Sequence, residues 1–274
     1  MAVLGSGSGG NAVVVTAGGT RLLLDAGLSA KQLRLRLEMV GVEPDSLDGI
    51  LLSHEHGDHV RGLDVFLRKH RVPVFATALT REVVQDRLRG RVEWRVFQRG
   101  QVFPVGGMEV QAFAVPHDAV DPVGFVCTEG EVRFGVATDL GHITGLVREE
   151  LKGVQGLFLE SNYEQRLLDA DTKRPWGTKQ RIASRHGHLS NGQAAELVAH
   201  LAAHGLEQVV LGHLSGDCNC PKLACEVVRE AAASMQVRVA AQDEPTGWVE
   251  VENRPPAPTM PPSEIGAGGQ GLLF

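Results

Sequence analysis

The chain has 274 residues, a formal net charge of −6 and a hydrophobic fraction of 43% that includes no apolar run long enough to span a membrane. Its length suits one large α/β domain or two smaller ones, and its 33 glycines fit a globular α/β enzyme with many tight turns. The acid excess argues against a generic nucleic-acid coat, and MAVLGSGSGG lacks the basic and apolar regions of a secretory leader, so a cytoplasmic location is expected.

In chain order, NAVVVTAGGTRLLLDAG (residues 11–27) reads as two strands around a Gly-Gly turn, and LSAKQLRLRLEMVG (28–41) as a helix stopped by glycine. LDGILLSHEHGDH (47–59) is a buried strand running into a histidine-rich motif. VPVFATALTREVVQDRL (72–88) is a strand followed by a helix. Further strands are expected at 108–115, 123–130, 132–139 and 156–162. A helix opens on a capping box, Ser190 with Gln193, and leads past Gly205 into the buried strand EQVVLGHLS (207–215). Residues 1–252 are therefore expected to form the catalytic domain, and the Pro/Gly-rich residues 253–274 a flexible tail. Two segments, 87–99 and 173–186, are strongly basic. Taken singly, such a run is most often solvated surface.

The motif HEHGDH places His54, His56, Asp58 and His59 within six positions. Imidazole and carboxylate suit zinc, manganese or iron, and alternate side chains can serve two ions. A lone His-x-His pair is usually structural, whereas the full H-x-H-x-D-H string after an apolar strand is specific. Cys218, Cys220 and Cys225 are spaced as C-x-C-x4-C, which lacks both a standard finger spacing and a fourth ligand. Thiols are the default for them, with a separate zinc site as the alternative.

The H-x-H-x-D-H string resembles that of the metallo-β-lactamase fold hydrolases, and the resemblance extends to about residue 250. It implies a four-layer αββα sandwich with the site at one edge, and two divalent ions, Zn²⁺ or Mn²⁺, that supply hydroxide and neutralise developing charge. His54 and His56 would join His117 on one ion, Asp58 and His59 would join His213 on the other, and Asp139 would bridge them. Asp58 and Asp139 would orient the attacking water. His188 would protonate the leaving group, paired with Glu160 as in the phosphodiesterase branch. The chain is too short between Asp139 and the last motifs to hold a β-CASP insertion.

Within that family, LGSGSGGN, PHDAVDPVGF, TDLGHIT, LESNYE, GHLSNGQAA and LGHLSGDCNCPKLA together resemble the YycJ/WalJ-type subgroup of bacteria. That resemblance implies a 5′-to-3′ DNA exonuclease linked to mismatch repair. The chain departs from the subgroup at Tyr163-Glu164, at Cys218-Asn219 and at Ser8-Gly9-Gly10, which bears on fine specificity. A small-molecule ester, thioester or lactone hydrolase of the same fold is the alternative.

The glycine loop fails as a dinucleotide fingerprint because a strand follows it, yet Ser6, Ser8 and Asn11 are candidates to face a scissile phosphate. Lys173, Arg174, Lys179 and Arg181 are candidate phosphate contacts, and Trp176 is a candidate base-stacking platform. The final QGLLF resembles the pentapeptide by which bacterial repair proteins dock on the DNA sliding clamp, with Gln270, Leu273 and Phe274 as anchors. Oligomeric state is not legible.

Overall fold

The computed structural model describes residues 1–251, in which two mixed sheets pack face to face. The first carries six strands in chain order: β1 (Ala2–Gly5), β2 (Ala12–Ala17), β3 (Thr20–Leu24), β4 (Gly49–Leu51), β5 (Val74–Thr77) and β6 (Trp94–Phe97). The second carries seven, running from β7 (Val102–Val105) through β8 (Met108–Ala114), β9 (Val123–Glu129), β10 (Val132–Ala137), β11 (Gly156–Glu160) and β12 (Gln208–Gly212) to β13 (Gln236–Val239). Each sheet begins antiparallel and becomes parallel, from β3 in the first and from β10 in the second. Parallel neighbours need crossovers. These are built on α1 (Ala30–Met39), α2 (Gly57–Val60), α3 (Leu63–Leu67) and α4 (Ala78–Gln85) in the first half, and on α5 (Gly145–Glu150), α6 (Gln165–Ala170), α7 (Trp176–Ile182), α8 (Asn191–Ala202) and α9 (Pro221–Ala231) in the second.

Side-chain alternation along the strands explains the layering. Val13, Val15, Leu22 and Leu24 enter a core between the sheets together with Phe125, Phe158 and Val210. Their neighbours Val14 and Leu23 face the first helical layer, where Leu33 and Leu37 of α1 meet Phe66 of α3. Leu157, Leu159, Val209 and Leu211 face the second layer, against Leu197, Val198 and Leu201 of α8. The result is the expected αββα sandwich. The two-residue link between β2 and β3 is made by Gly18 and Gly19, both at positive φ (52° and 87°), a turn that suits the strand twist.

Several elements were not apparent from sequence. β1, β6, β7 and β13 are four-residue strands, too short to show a period. The basic segment 173–186 holds α7, which buries none of its residues and so carries no apolar stripe to announce it. The expected tail, with Gln270, Leu273 and Phe274, lies outside the described residues.

The parallel strands set up the site. Asp25 follows β3, His54 lies just past β4, Asp139 follows β10, Glu160 ends β11 and His213 follows β12. Asp25, Asp139 and His213 are the non-glycine residues with positive φ, at 60°, 54° and 54°, among the described residues. Such backbone costs on the order of 1–3 kcal/mol per residue and persists where surrounding structure enforces it. The close approach of Gly27 to the ligand loop is equally restrictive, since a Cβ there would lie 1.6 Å from the Asp58 carbonyl oxygen. Gly27→Ala is expected to cost about 1–3 kcal/mol through overpacking and to lower bound metal by displacing Asp58. Thermal melting with metal analysis checks this, and a wild-type metal content would refute it.

Candidate metal centre and active site

Seven side chains converge at the open ends of the parallel strands. His54, His56 and His117 form one group whose ligand atoms lie within 4.8 Å of one another, and Asp58, His59 and His213 form a second. Asp139 stands between them, with its carboxylate 3.1 Å from His59 Nε2, 3.6 Å from His213 Nε2 and 3.8 Å from His117 Nε2. The sequence places Asp58 and His59 on the single turn of α2, so both project back toward the end of β4.

The imidazoles are oriented from behind. Nδ1 of His59 meets Asp25 at 2.7 Å, Nδ1 of His54 meets the Ser53 hydroxyl at 2.9 Å, Nδ1 of His117 meets the Gly187 carbonyl at 3.0 Å, and Nδ1 of His213 meets Glu160 at 3.0 Å. With Nδ1 so engaged, each ring presents Nε2 to the centre, the arrangement that fixes tautomer and direction in metal-binding histidines. Asp25 is itself held by the backbone N–H and hydroxyl of Ser53.

The donor set fits divalent cations. His54 Nε2 is buried and has no hydrogen-bond partner among the described residues, an expense that a coordinated ion would remove. Burial and then the charge of His59 hold His54 well below its ordinary pKa of 6.5. Burial also opposes charge on His59, yet the carboxylates of Asp139 and Asp25 push it up to about 10. Charge on His59 is thus favoured by carboxylates that a cation would otherwise neutralise, and metal uptake would displace that proton.

His188 lies at the rim. Its Nδ1 contacts Glu160 at 2.6 Å, and the other Glu160 oxygen accepts the backbone N–H groups of Leu140 and Leu189. Burial disfavours both charges, but the pair stabilises itself: His188 is raised above the ordinary imidazole value, and Glu160 is held below the usual carboxylate range by His188 and His213. Glu160 therefore holds two histidines, His188 and His213.

The cleft beside these groups has a volume of about 340 Å³ and takes in Ser8, Asn162, Arg174 and Arg181 with the candidate ligands His56, Asp58, His117, Asp139 and His213. The three candidates in the glycine loop separate here. Ser8 lines the cleft, whereas Ser6 and Asn11 are buried. Ser6 Oγ accepts from the His213 backbone N–H and donates to the Asn11 side-chain carbonyl, and Asn11 Nδ2 reaches Asp58 Oδ2 and His59 Nε2. Both turn away from the cleft toward the candidate ligands His213, Asp58 and His59. Among the basic candidates, Arg174 pairs with Asp171 and Asp217, Lys173 with Asp217, and Arg181 with Asp118, while Lys179 donates to the Asp169 carbonyl. Only Arg174 and Arg181 of this group reach the cleft. Trp176 is 68% exposed at the start of α7 and does not line it.

Cys218 is buried against Arg174 and Asp171, and no converging ligand group among the described residues includes a cysteine. Residues that sequence reading passed over are Asp25, Ser53, Asp118, Asn162 and Gln242. Asn162 donates to the His213 carbonyl, and Gln242 brackets the glycine loop, accepting from Gly9 N–H and donating to the Gly10 carbonyl. The aspartate closing LLLD is the one signal that was legible, a carboxylate at the end of an apolar strand.

Two facing mixed sheets with a His/Asp centre at the ends of their parallel strands define a class, and residues 20–214 match its sequence family, the beta-lactamase superfamily domain: the chain belongs to that superfamily. Within it, the chain is 32% identical over 226 residues to exodeoxyribonuclease WalJ of Streptococcus pneumoniae, covering 81% of this chain and 84% of the relative. It is 34% identical over 225 residues to exodeoxyribonuclease YycJ of Bacillus anthracis, with the same coverage of 81% and 84%. The fold is shared with Zn(2+)-bound PqqB from Methylobacterium extorquens, at a TM-score of 0.69 and 18% identity over 90% of this chain and 100% of that one. No helix among the described residues is long and apolar enough to cross a membrane.

Proposed function

We propose that the chain is a dinuclear metal-dependent phosphodiesterase acting as a 5′-to-3′ DNA exonuclease. The observation that carries this reading is the pairing of a seven-residue ligand cluster with a separate proton donor, His188, whose Nδ1 is held by Glu160. Similarity to WalJ and YycJ over four-fifths of the chain supports nucleic acid as the substrate.

His54, His56 and His117 would hold one divalent ion, Asp58, His59 and His213 the other, with Asp139 shared; Zn²⁺ or Mn²⁺ suits these donors. When bound, the ions supply Lewis acidity and neutralise charge on the attacked phosphate. The chain's own groups do the rest. Asp58 and Asp139 orient the attacking water, and Ser8, Arg174 and Arg181 receive phosphate oxygens at the cleft. His188 gives its Nε2 proton to the leaving oxygen, while Glu160 stabilises the charged imidazole beforehand and fixes its tautomer. Arg181→Ala is expected to raise KM for DNA about tenfold with kcat little changed, since a rim cation binds ground and transition states alike; steady-state kinetics on labelled duplex check this.

The domain is taken to span residues 1–252, in a cytoplasmic protein serving mismatch repair, with the tail 253–274 offering QGLLF to the sliding clamp. The deciding experiment is digestion of end-labelled double-stranded DNA, single-stranded DNA and RNA with Mn²⁺ or Zn²⁺. Progressive loss of 5′-terminal nucleotides is the expected result. Inertness toward every nucleic acid with either metal, beside turnover of a thioester or lactone, would overturn the proposal.

A further inference from the structure

Two basic stretches far apart in the sequence meet on the surface away from the metal centre. Residues 68–72 lead into β5 and residues 91–93 into β6, and these strands run parallel to β4. Their entries therefore lie at the opposite end of the sheet from His54, a strand length of about 13 Å away for four residues. Between them is a groove of about 650 Å³ walled by Arg68, Lys69, Arg71 and Arg91. Its one acidic wall residue, Glu93, is paired with Arg95. Arg68 is paired with Asp64, but the side chains of Lys69, Arg71 and Arg91 have no hydrogen-bond or ion-pair partner among the described residues.

The contrast with the mouth of the cleft is informative. There Arg174 and Arg181 each lie against a carboxylate, as does Lys173, the neighbour of Arg174 in sequence. In a chain with a net charge of −6, uncommitted positive charge is instead gathered in this remote groove. The segment between the two places is also basic: Arg87 donates to the Glu55 carbonyl, between His54 and His56, at 2.6 Å, and the Arg89 backbone N–H is anchored on Asp64. The groove offers guanidinium groups suited to bidentate phosphate contact, and the one aromatic ring in its wall, His70, is paired with Asp45.

We propose that this groove holds the phosphodiester backbone of the DNA beyond the end being cut, a sequence-independent second contact that retains the substrate between successive cuts. The proposal rests on the nuclease reading. It is tested with the full-length, metal-loaded protein and the triple variant Lys69→Gln/Arg71→Gln/Arg91→Gln. Two measurements are made: affinity for a cleavage-resistant phosphorothioate duplex across a salt series, and turnover of a small chromogenic phosphodiester.

The variant is expected to bind the duplex about tenfold or more weakly near 0.1 M salt, with the slope of log affinity against log salt reduced by about 3, one per lost phosphate contact. Turnover of the small substrate should stay at the wild-type rate. If the wild type binds duplex and the variant keeps the same affinity and slope, the groove assignment is overturned and the nuclease reading stands. Loss of small-substrate turnover in the variant would also overturn it, by assigning these cations to the fold. A wild type that neither binds nor cuts nucleic acid would overturn both readings together.

Discussion

His54→Ala is expected to abolish exonuclease activity, a loss of more than about a thousandfold, with bound metal falling in parallel. Removing a residue behind a ligand already costs about 10–100-fold. His54 is itself a candidate ligand, and its Nε2 faces the centre with no other partner. Its ring also packs 4.1 Å from that of His59 and 4.6 Å from that of His56, so its removal loosens the opposite half of the centre as well. Asp25→Asn is the graded companion: it leaves every ligand in place but weakens the carboxylate hold on His59 Nδ1. Activity with elemental analysis of both variants gives the readout. Full activity in His54→Ala with two ions still bound would remove His54 from the ligand set.

The second large effect concerns proton delivery. His188→Asn is expected to lower kcat on DNA by about 10²–10⁴-fold while metal content stays at the wild-type level, because His188 lies at the rim, bonded to Glu160 and beside Asp139 and the rings of His117 and His213, outside the seven candidate ligands. A phosphodiester with a good leaving group, such as a nitrophenolate, needs little protonation, so the variant should recover most of its rate on that substrate. Glu160→Gln should behave differently. It weakens support for both His188 and His213, so kcat and metal content fall together. Equal losses for His188→Asn on both kinds of leaving group would sink the general-acid role.

The candidate ligands were legible because each is a metal-binding side chain placed soon after a run of apolar strand residues, and HEHGDH puts four of them within six positions. Alternating strands and helices pointed to α/β, and the four-layer sandwich followed from the resemblance that the motif carries. The supporting shell was much less legible. Ser6 and Asn11 were read as facing substrate because a glycine loop says nothing about which way its polar side chains point, and here both turn inward to His213 and Asp58. Gln242 lies 233 residues from the glycine it binds, and no local pattern announces such a pairing. The basic segment around α7 was correctly seen as charged, but charge in sequence does not reveal partners. Asp118, Asp171 and Asp217 neutralise much of it, whereas the less conspicuous cations Lys69, Arg71 and Arg91 have no side-chain partner among the described residues.

The three left-handed residues Asp25, Asp139 and His213 have a consequence for the life of the molecule in the cell. Each holds an unfavourable backbone conformation at a place where cations would resolve the surrounding charges. Ion binding to the folded chain therefore adds directly to its stability, and the loops that end β3, β10 and β12 bear the strain whenever ions are missing. Starvation for the metal would then act twice, by idling the enzyme and by exposing those loops to proteases. The pool of intact protein would track metal supply, so abundance and activity would decline together instead of leaving a reserve of inactive molecules.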